Sequence, residues 1–287
     1  MKYRHQFHAG NFADVHKHVL LLDVLAALTR KDKGLLFVDT HAGRGEYQLH
    51  PGDAAHPGEW QAGAARLLAA APAHESLRRY RELLTARRHG ASLFYPGSPL
   101  LAAGALRPVD RLVLFETQRD EAGQLRKALE AQSAADQAAN KSVRVESSDG
   151  FAGLRALLPP PERRGCVLID PPYEEREDFT RVSAAAIDAL QRFESAALVL
   201  WLPVKLRADF DAWHDKLRGK LGRPALASLL WMHPCDSRAA LNGSALVLIN
   251  PPYLVEEAVR GWLPELRALL GGDKEGSGCE VIATGPR

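Results

Sequence analysis

The feature that most constrains this chain is an alternation. Short apolar runs at residues 35–39, 111–116, 143–146, 166–170, 196–202, 225–231 and 245–250 are separated by longer stretches of helical periodicity. Runs of that length suit strands buried on both faces, and the longer stretches supply the crossovers that parallel strands require. Across residues 13–28, Val15, Val19, Leu22 and Ala26 fall on one helical face; across 179–190, Val182, Ala186 and Leu190 do. The pattern predicts an α/β fold with a doubly wound, mainly parallel sheet of about seven strands. One interval breaks it: residues 46–98 contain no convincing strand, while 60–71 and 75–86 read as helices flanked by Pro- and Gly-containing segments. This predicts a small helical insert subdomain at 46–98 in a main domain made of 1–45 and 99–287.

With 287 residues, 46% hydrophobic and 25% charged, the chain has the make-up of a folded enzyme large enough for one core plus an insertion. No stretch approaches the ~20 apolar residues that cross a bilayer, and the start MKYRHQFHAG has no signal-type apolar segment, so a cytoplasmic location and no membrane partner are expected. Cys166, Cys235 and Cys279 are odd in number and far apart, which reads as reduced thiols rather than a disulfide framework or a Cys-rich zinc site. A net charge of +2 permits a nucleic-acid partner without demanding one.

The strand ends carry the chemistry. Residues 37–45 read FVDTHAGRG: an apolar strand stops at Asp39, and Gly43 and Gly45 allow a tight turn close to a ligand. Alone, such a turn is as often an ordinary loop. The second run ends at Glu116, a carboxylate placed where doubly wound sheets hold the ribose hydroxyls of an adenosine-containing cofactor; the alternative is a solvated surface Glu. Past the third run, Asp149 followed by Gly150 could reach a cofactor adenine or cap the next helix.

The fourth run reads CVLIDPPY, from Cys166 to Tyr173. An exocyclic amine on a purine is a poor nucleophile because its lone pair is delocalised into the ring. The Asp170 carboxylate on one N–H and the Pro171 carbonyl oxygen on the other would favour a pyramidal nitrogen with its lone pair free, and Tyr173 could stack on the base. A sulfonium methyl, as in S-adenosylmethionine, is already activated, so neither a metal nor a covalent intermediate is needed. A second triplet, LVLINPPY, ends at Asn250, which could bind an amine equally well. Only 37 residues follow it, too few to complete the sheet in unpermuted order, so Asn250 is placed at the end of a late strand. At the N-terminus His5, His8, His16 and His18 are of a metal-ligating type, but no cysteine or carboxylate cluster completes a set, and no metal is expected.

With DTHAG, YPGSP, DPPY and the segment YRHQFHAGNFADVHKH in hand, the sequence resembles the bacterial RlmJ-type family of 23S ribosomal RNA adenine-N6 methyltransferases over essentially its whole length. The resemblance implies the class I methyltransferase fold, S-adenosylmethionine as cofactor and 23S ribosomal RNA as partner; a monomer is expected. It implies cofactor contacts by His18, His41, Ser98, Glu116, Asp149, Gly150 and Asp170, and substrate contacts or site organisation by Tyr3, His5 and Lys17. Where many amino-methyltransferases have Phe in the pattern Asp-x-Phe-x-Gly-x-Gly, this chain has His41, which fits the RlmJ type. Two rival readings are a DNA adenine or protein glutamine N-methyltransferase and a non-catalytic RNA-binding module. The lack of a separate DNA-recognition domain counts against the first, and the presence of Asp170 and Tyr173 against the second.

Overall fold

The computed structural model describes residues 8–50, 59–90, 92–135, 142–175, 177–236, 238, 241–271 and 275–285. The chain enters through helix α1 (Phe12–Thr29) and strand β1 (Leu36–Asp39), then departs from the main sheet. The departure comprises β2 (Glu46–Leu49), α2 (Ala64–Ala69), α3 (Glu75–Ala86), β3 (Arg88–His89) and β4 (Ser92–Pro96). It returns through α4 (Ser98–Ala105), β5 (Arg111–Phe115), α5 (Arg119–Ala135), β6 (Val143–Glu146), α6 (Gly150–Leu157) and β7 (Gly165–Ile169). The remaining elements are α7 (Asp178–Arg192), β8 (Ala197–Val204), α8 (Arg207–Leu221), β9 (Ala225–Trp231), β10 (Gly243–Ile249), α9 (Val255–Gly271) and β11 (Gly278–Thr284).

The main sheet has eight strands in the order β11-β9-β10-β8-β7-β1-β5-β6. From β8 to β6 every neighbouring pair is parallel; β10 runs antiparallel to both β8 and β9, and β11 antiparallel to β9. The order reverses at β1, where the chain first moves to β5 and β6 and later crosses to β7. Ligands of open α/β sheets bind at such a switch point, outside the carboxyl ends of the strands. The eighth strand, β11, lies beyond the seven apolar runs because its half-buried edge sequence GCEVIAT has no continuous apolar stretch.

Two further departures from the sequence reading concern the insert and α1. Besides the two expected helices, residues 46–98 contain the three-stranded antiparallel sheet β2-β4-β3. Strands of four, two and five residues are too short to show periodicity against the helices around them. The spacing of Val15, Val19, Leu22 and Ala26 predicts one buried face for α1, yet Ala13 to Leu25 are buried on all sides. It lies between the sheet, α4, α9 and the insert helix α3, so His16, Lys17 and His18, which point about 100° apart, each meet a different part of the protein. The helix is capped by Asn11, whose Oδ1 accepts from the Asp14 amide at 2.9 Å.

Alternation along each strand divides the side chains between two cores. Phe37, Leu112, Leu114, Cys166, Leu168 and Val199 belong to the core that includes α1. Leu36, Val38, Val113, Val167, Ile169 and Leu198 belong to the core on the opposite face. A period of two therefore puts Asp39, Glu116 and Asp170, at or just beyond the ends of β1, β5 and β7, on the α1 side. Glu116 and Asp170 reach one crevice, with Asp39 buried behind its lining residues His41 and Ser98, because the strands share a register.

Candidate active site

At that edge lies a cleft of about 530 Å³, within the range of small-molecule pockets. One wall is the glycine turn after β1, with His41, Gly43 and Arg44; the facing wall is Asp170, Pro171 and Tyr173. Lys17, His18, Ser98 and Glu116 complete the part of the lining that the sequence singled out.

The centre is a chain of charge. The Lys17 ammonium donates to Asp170 Oδ2 at 2.6 Å and to Asp14 Oδ1 at 2.8 Å, with the Lys17 side chain only 6% exposed. Burial by itself works to depress this amine, but the two carboxylates outweigh it and hold its pKa well above the ordinary lysine value. Asp14 in turn accepts from the Gly10 amide through Oδ2 at 3.0 Å, so it is fixed by the N-terminus of the helix that carries Lys17. One oxygen of Asp170 is thus committed to Lys17, and Oδ1 is left for the cleft.

The glycine turn is held as firmly. Asp39 is fully buried, accepting from Ser98 Oγ at 2.6 Å and from the His41 amide at 3.1 Å. Burial pushes its pKa up to about 6 despite those donors. Gly43 and Gly45 sit at φ 62° and 83°, the left-handed region in which a side chain would be strained. The Gly43 amide donates to Glu116 Oε2 at 3.0 Å and the Gln118 amide to Oε1 at 2.7 Å. Burial raises the Glu116 pKa above the usual glutamate value. Each oxygen retains a lone pair, so a rigid carboxylate facing the cleft fits the hydroxyls of an adenosine ribose. His41 is driven down to about 4 by burial and is neutral; its Nδ1 lies 2.8 Å from Thr40 Oγ1 and its ring meets Phe151 edge-on at 4.9 Å.

His18 reaches the insert: Nδ1 lies 3.0 Å from the Tyr80 hydroxyl and 2.9 Å from that of Tyr95. Tyr173, at φ 52°, hydrogen-bonds the Trp201 carbonyl oxygen through its hydroxyl and packs on Phe179 and Trp201 with ring centroids at 4.7 and 5.7 Å. Asp149 and Gly150 stand outside the lining. Asp149 caps α6 by accepting from the Ala152 amide at 3.0 Å and pairs with Arg181 at 2.9 Å, while Gly150 presses on the Thr40 backbone where a Cβ would clash. Tyr3 and His5 lie outside the described residues.

Asn250 is held far from this edge. Because β10 is antiparallel, its carboxyl end lies at the amino edge of β8, where Asn250 Nδ2 donates to the carbonyls of Glu194 and Ala196 at 2.9 and 2.8 Å. The second Pro-Pro-Tyr is therefore a structural turn. The sequence reading missed Asp14, Arg44, Tyr47, Glu59, Trp201 and Lys205, all of which line the cleft. Asp14 alone left a signal, its i,i+3 spacing to Lys17.

A doubly wound sheet with an antiparallel late strand, a glycine turn, a ribose-ready carboxylate and Asp-Pro-Pro-Tyr at the switch point define a class I methyltransferase that uses S-adenosylmethionine. The family model described as Ribosomal RNA large subunit methyltransferase D, RlmJ, matches residues 32–281, and the chain belongs to that family. It is 35% identical over 279 residues to Ribosomal RNA large subunit methyltransferase J of Haemophilus influenzae, covering 96% of each chain. To the protein of the same name in Escherichia coli K12 it is 37% identical over 271 residues, covering 94% of each. The crystal structure of protein LPL1258 from Legionella pneumophila superposes with a TM-score of 0.83 at 31% identity, covering 97% of this chain and 98% of that one.

Proposed function

We propose that this chain transfers a methyl group from S-adenosylmethionine to the exocyclic N6 of an adenine in 23S ribosomal RNA, and that it does so as a cytoplasmic monomer. The names of its curated relatives, ribosomal RNA large subunit methyltransferases, support the substrate. The observation that carries the chemistry is Asp170 with Oδ2 bound to Lys17 and its backbone continuing into buried Pro171 inside a cleft shared with Glu116.

S-adenosylmethionine supplies an activated methyl on a sulfonium. Glu116 would hold its ribose, with His18, His41, Ser98 and Asp170 around the remainder and Asp149 and Gly150 setting the α6 end of the site. Asp170 Oδ1 accepts one N6–H of the target and the Pro171 carbonyl oxygen the other, which draws the nitrogen toward a pyramidal geometry. An N6 amine is far too weak an acid to be deprotonated in advance, so Asp170 takes the proton as the methyl arrives or afterwards. Lys17, bound to Oδ2, fixes which Asp170 oxygen faces the base. Tyr173, Tyr3 and His5 are assigned to holding the flipped base and its strand. The domain division, residues 46–98 as an insert in a body of 1–45 and 99–287, belongs to the same proposal. No helix among the described residues is long and apolar enough to cross a membrane.

The test is Asp170→Ala. Cofactor affinity by calorimetry should stay within a few-fold while methyl transfer to ribosomal RNA falls by at least about a hundredfold. Normal turnover by that variant overturns the assignment.

A further inference from the structure

We infer that Trp201 is the wall against which the target base is seated, and that Ser244 and His16 are positioning residues that fix its indole; the inference rests on the reading of Asp170 given above. The register places it. Ile169 of β7 pairs with Leu200 of β8, so the next residues, Asp170 and Trp201, stand side by side with side chains on the same face. Within β8 only Trp201 and Pro203 are not fully buried, and both line the cleft. The Tyr173 ring, 5.7 Å away and tilted by 63°, forms the other half of an aromatic corner next to the Asp170 carboxylate. A flat, apolar corner beside an amine-binding carboxylate matches a purine lifted out of its stack.

The indole is not loosely placed. Trp201 Nε1 donates to Ser244 Oγ at 3.0 Å, Ser244 Oγ lies 3.0 Å from His16 Nδ1, and His16 Nε2 lies 2.8 Å from Ser228 Oγ. An indole N–H can only donate, so Ser244 accepts from it; the two ring nitrogens of His16 then bridge Ser244 and Ser228, one donating and one accepting according to its tautomer. Burial holds His16 neutral, with its pKa lowered to about 3, so one ring nitrogen donates and the other accepts. All three residues, His16, Ser228 and Ser244, are completely buried, on a sheet face otherwise made of Leu226, Leu230, Leu246 and Leu248. Apolar residues at 228 and 244 would serve such a core at least as well. Among the described residues this polar chain reaches the cleft through the Trp201 indole, so what it secures is the plane of that ring.

The experiment compares the full-length wild type with Trp201→Ala, Trp201→Phe, Ser244→Ala and the double variant Trp201→Phe/Ser244→Ala. The readouts are kcat and KM for ribosomal RNA, cofactor Kd, thermal unfolding, and the indole 15N–1H resonances. Trp201→Ala should lower kcat/KM for RNA roughly tenfold to a hundredfold with cofactor Kd within about twofold, and Trp201→Phe should recover most of that loss. Ser244→Ala should shift the Trp201 indole resonance and lower kcat/KM, and should do nothing further in the Trp201→Phe background, which has no indole N–H to hold. An unchanged kcat/KM in Trp201→Ala, an equal loss of cofactor affinity, or the same Ser244→Ala effect in both backgrounds overturns the inference. These failures are separable from failure of the functional reading: the former leave Asp170→Ala inactive, whereas the latter is an active Asp170→Ala.

Discussion

At the scale of single residues, the site is a set of buried charges that stay buried because each has a fixed partner. Lys17 shows the energetic consequence: with one ammonium between Asp14 and Asp170, its removal leaves two carboxylates facing each other without a counter-ion. Lys17→Met should therefore destabilise the fold by about 3 kcal/mol, measured by urea unfolding, in addition to its effect on catalysis; an undiminished midpoint would show the carboxylates to be hydrated. Asp39 gives a pH signature. Its carboxyl ionises near 3.8 when unfolded and at about 6 when folded. The stability associated with its neutral form is thus complete below pH 3.8 and lost as pH rises through 6. The stability of Asp39→Asn relative to wild type should rise by about 3 kcal/mol between pH 3.5 and 7.5. A pH-independent difference would mean that Asp39 ionises normally.

At the scale of elements, α1 organises the site. Consecutive His16, Lys17 and His18 tie the β9–β10 serines, the Asp170 edge and the insert tyrosines to one helix. The helix can carry these polar groups because Val15, Val19, Leu20, Leu21, Val24 and Leu25 are each buried beside them, worth about 1.5–3 kcal/mol apiece. The Tyr80→Phe/Tyr95→Phe double variant removes two hydrogen-bond partners of His18. It should speed amide exchange in α3 and β4 at least tenfold while β7 exchanges as before, and equal acceleration everywhere would place those hydroxyls in the global core instead. The parallel strands, their acidic ends and the Asp-Pro-Pro-Tyr were legible from sequence because continuous apolar runs and prolines are local signals. The sheet β2-β4-β3, the edge strand β11 and the all-round burial of α1 were not, because short strands, edges and neighbouring helices leave no periodicity. Trp201 was hidden for a related reason. Only the β7–β8 register sets it beside Asp170, and register is not written in either strand alone. His16 read as one of several N-terminal histidines, since serines 212 and 228 residues away give it its role.

At the scale of the whole molecule, the switch point at β1, the insert and α1 converge on one cleft lined by the Asp170 carboxylate, Pro171 and the Tyr173–Trp201 corner. The net charge of +2 gives little general attraction for RNA, so affinity should fall with salt through a small number of phosphate contacts. A slope of log affinity against log salt near zero would point to a substrate other than nucleic acid. The most direct measurement is to incubate the purified protein with isotopically labelled S-adenosylmethionine and unmodified ribosomal RNA, digest to nucleosides, and locate the label by mass spectrometry. Labelled N6-methyladenosine from one position of 23S RNA is the expected result. Label on another atom or base, or on protein with the RNA unmodified, would contradict an adenine-amine clamp at Asp170.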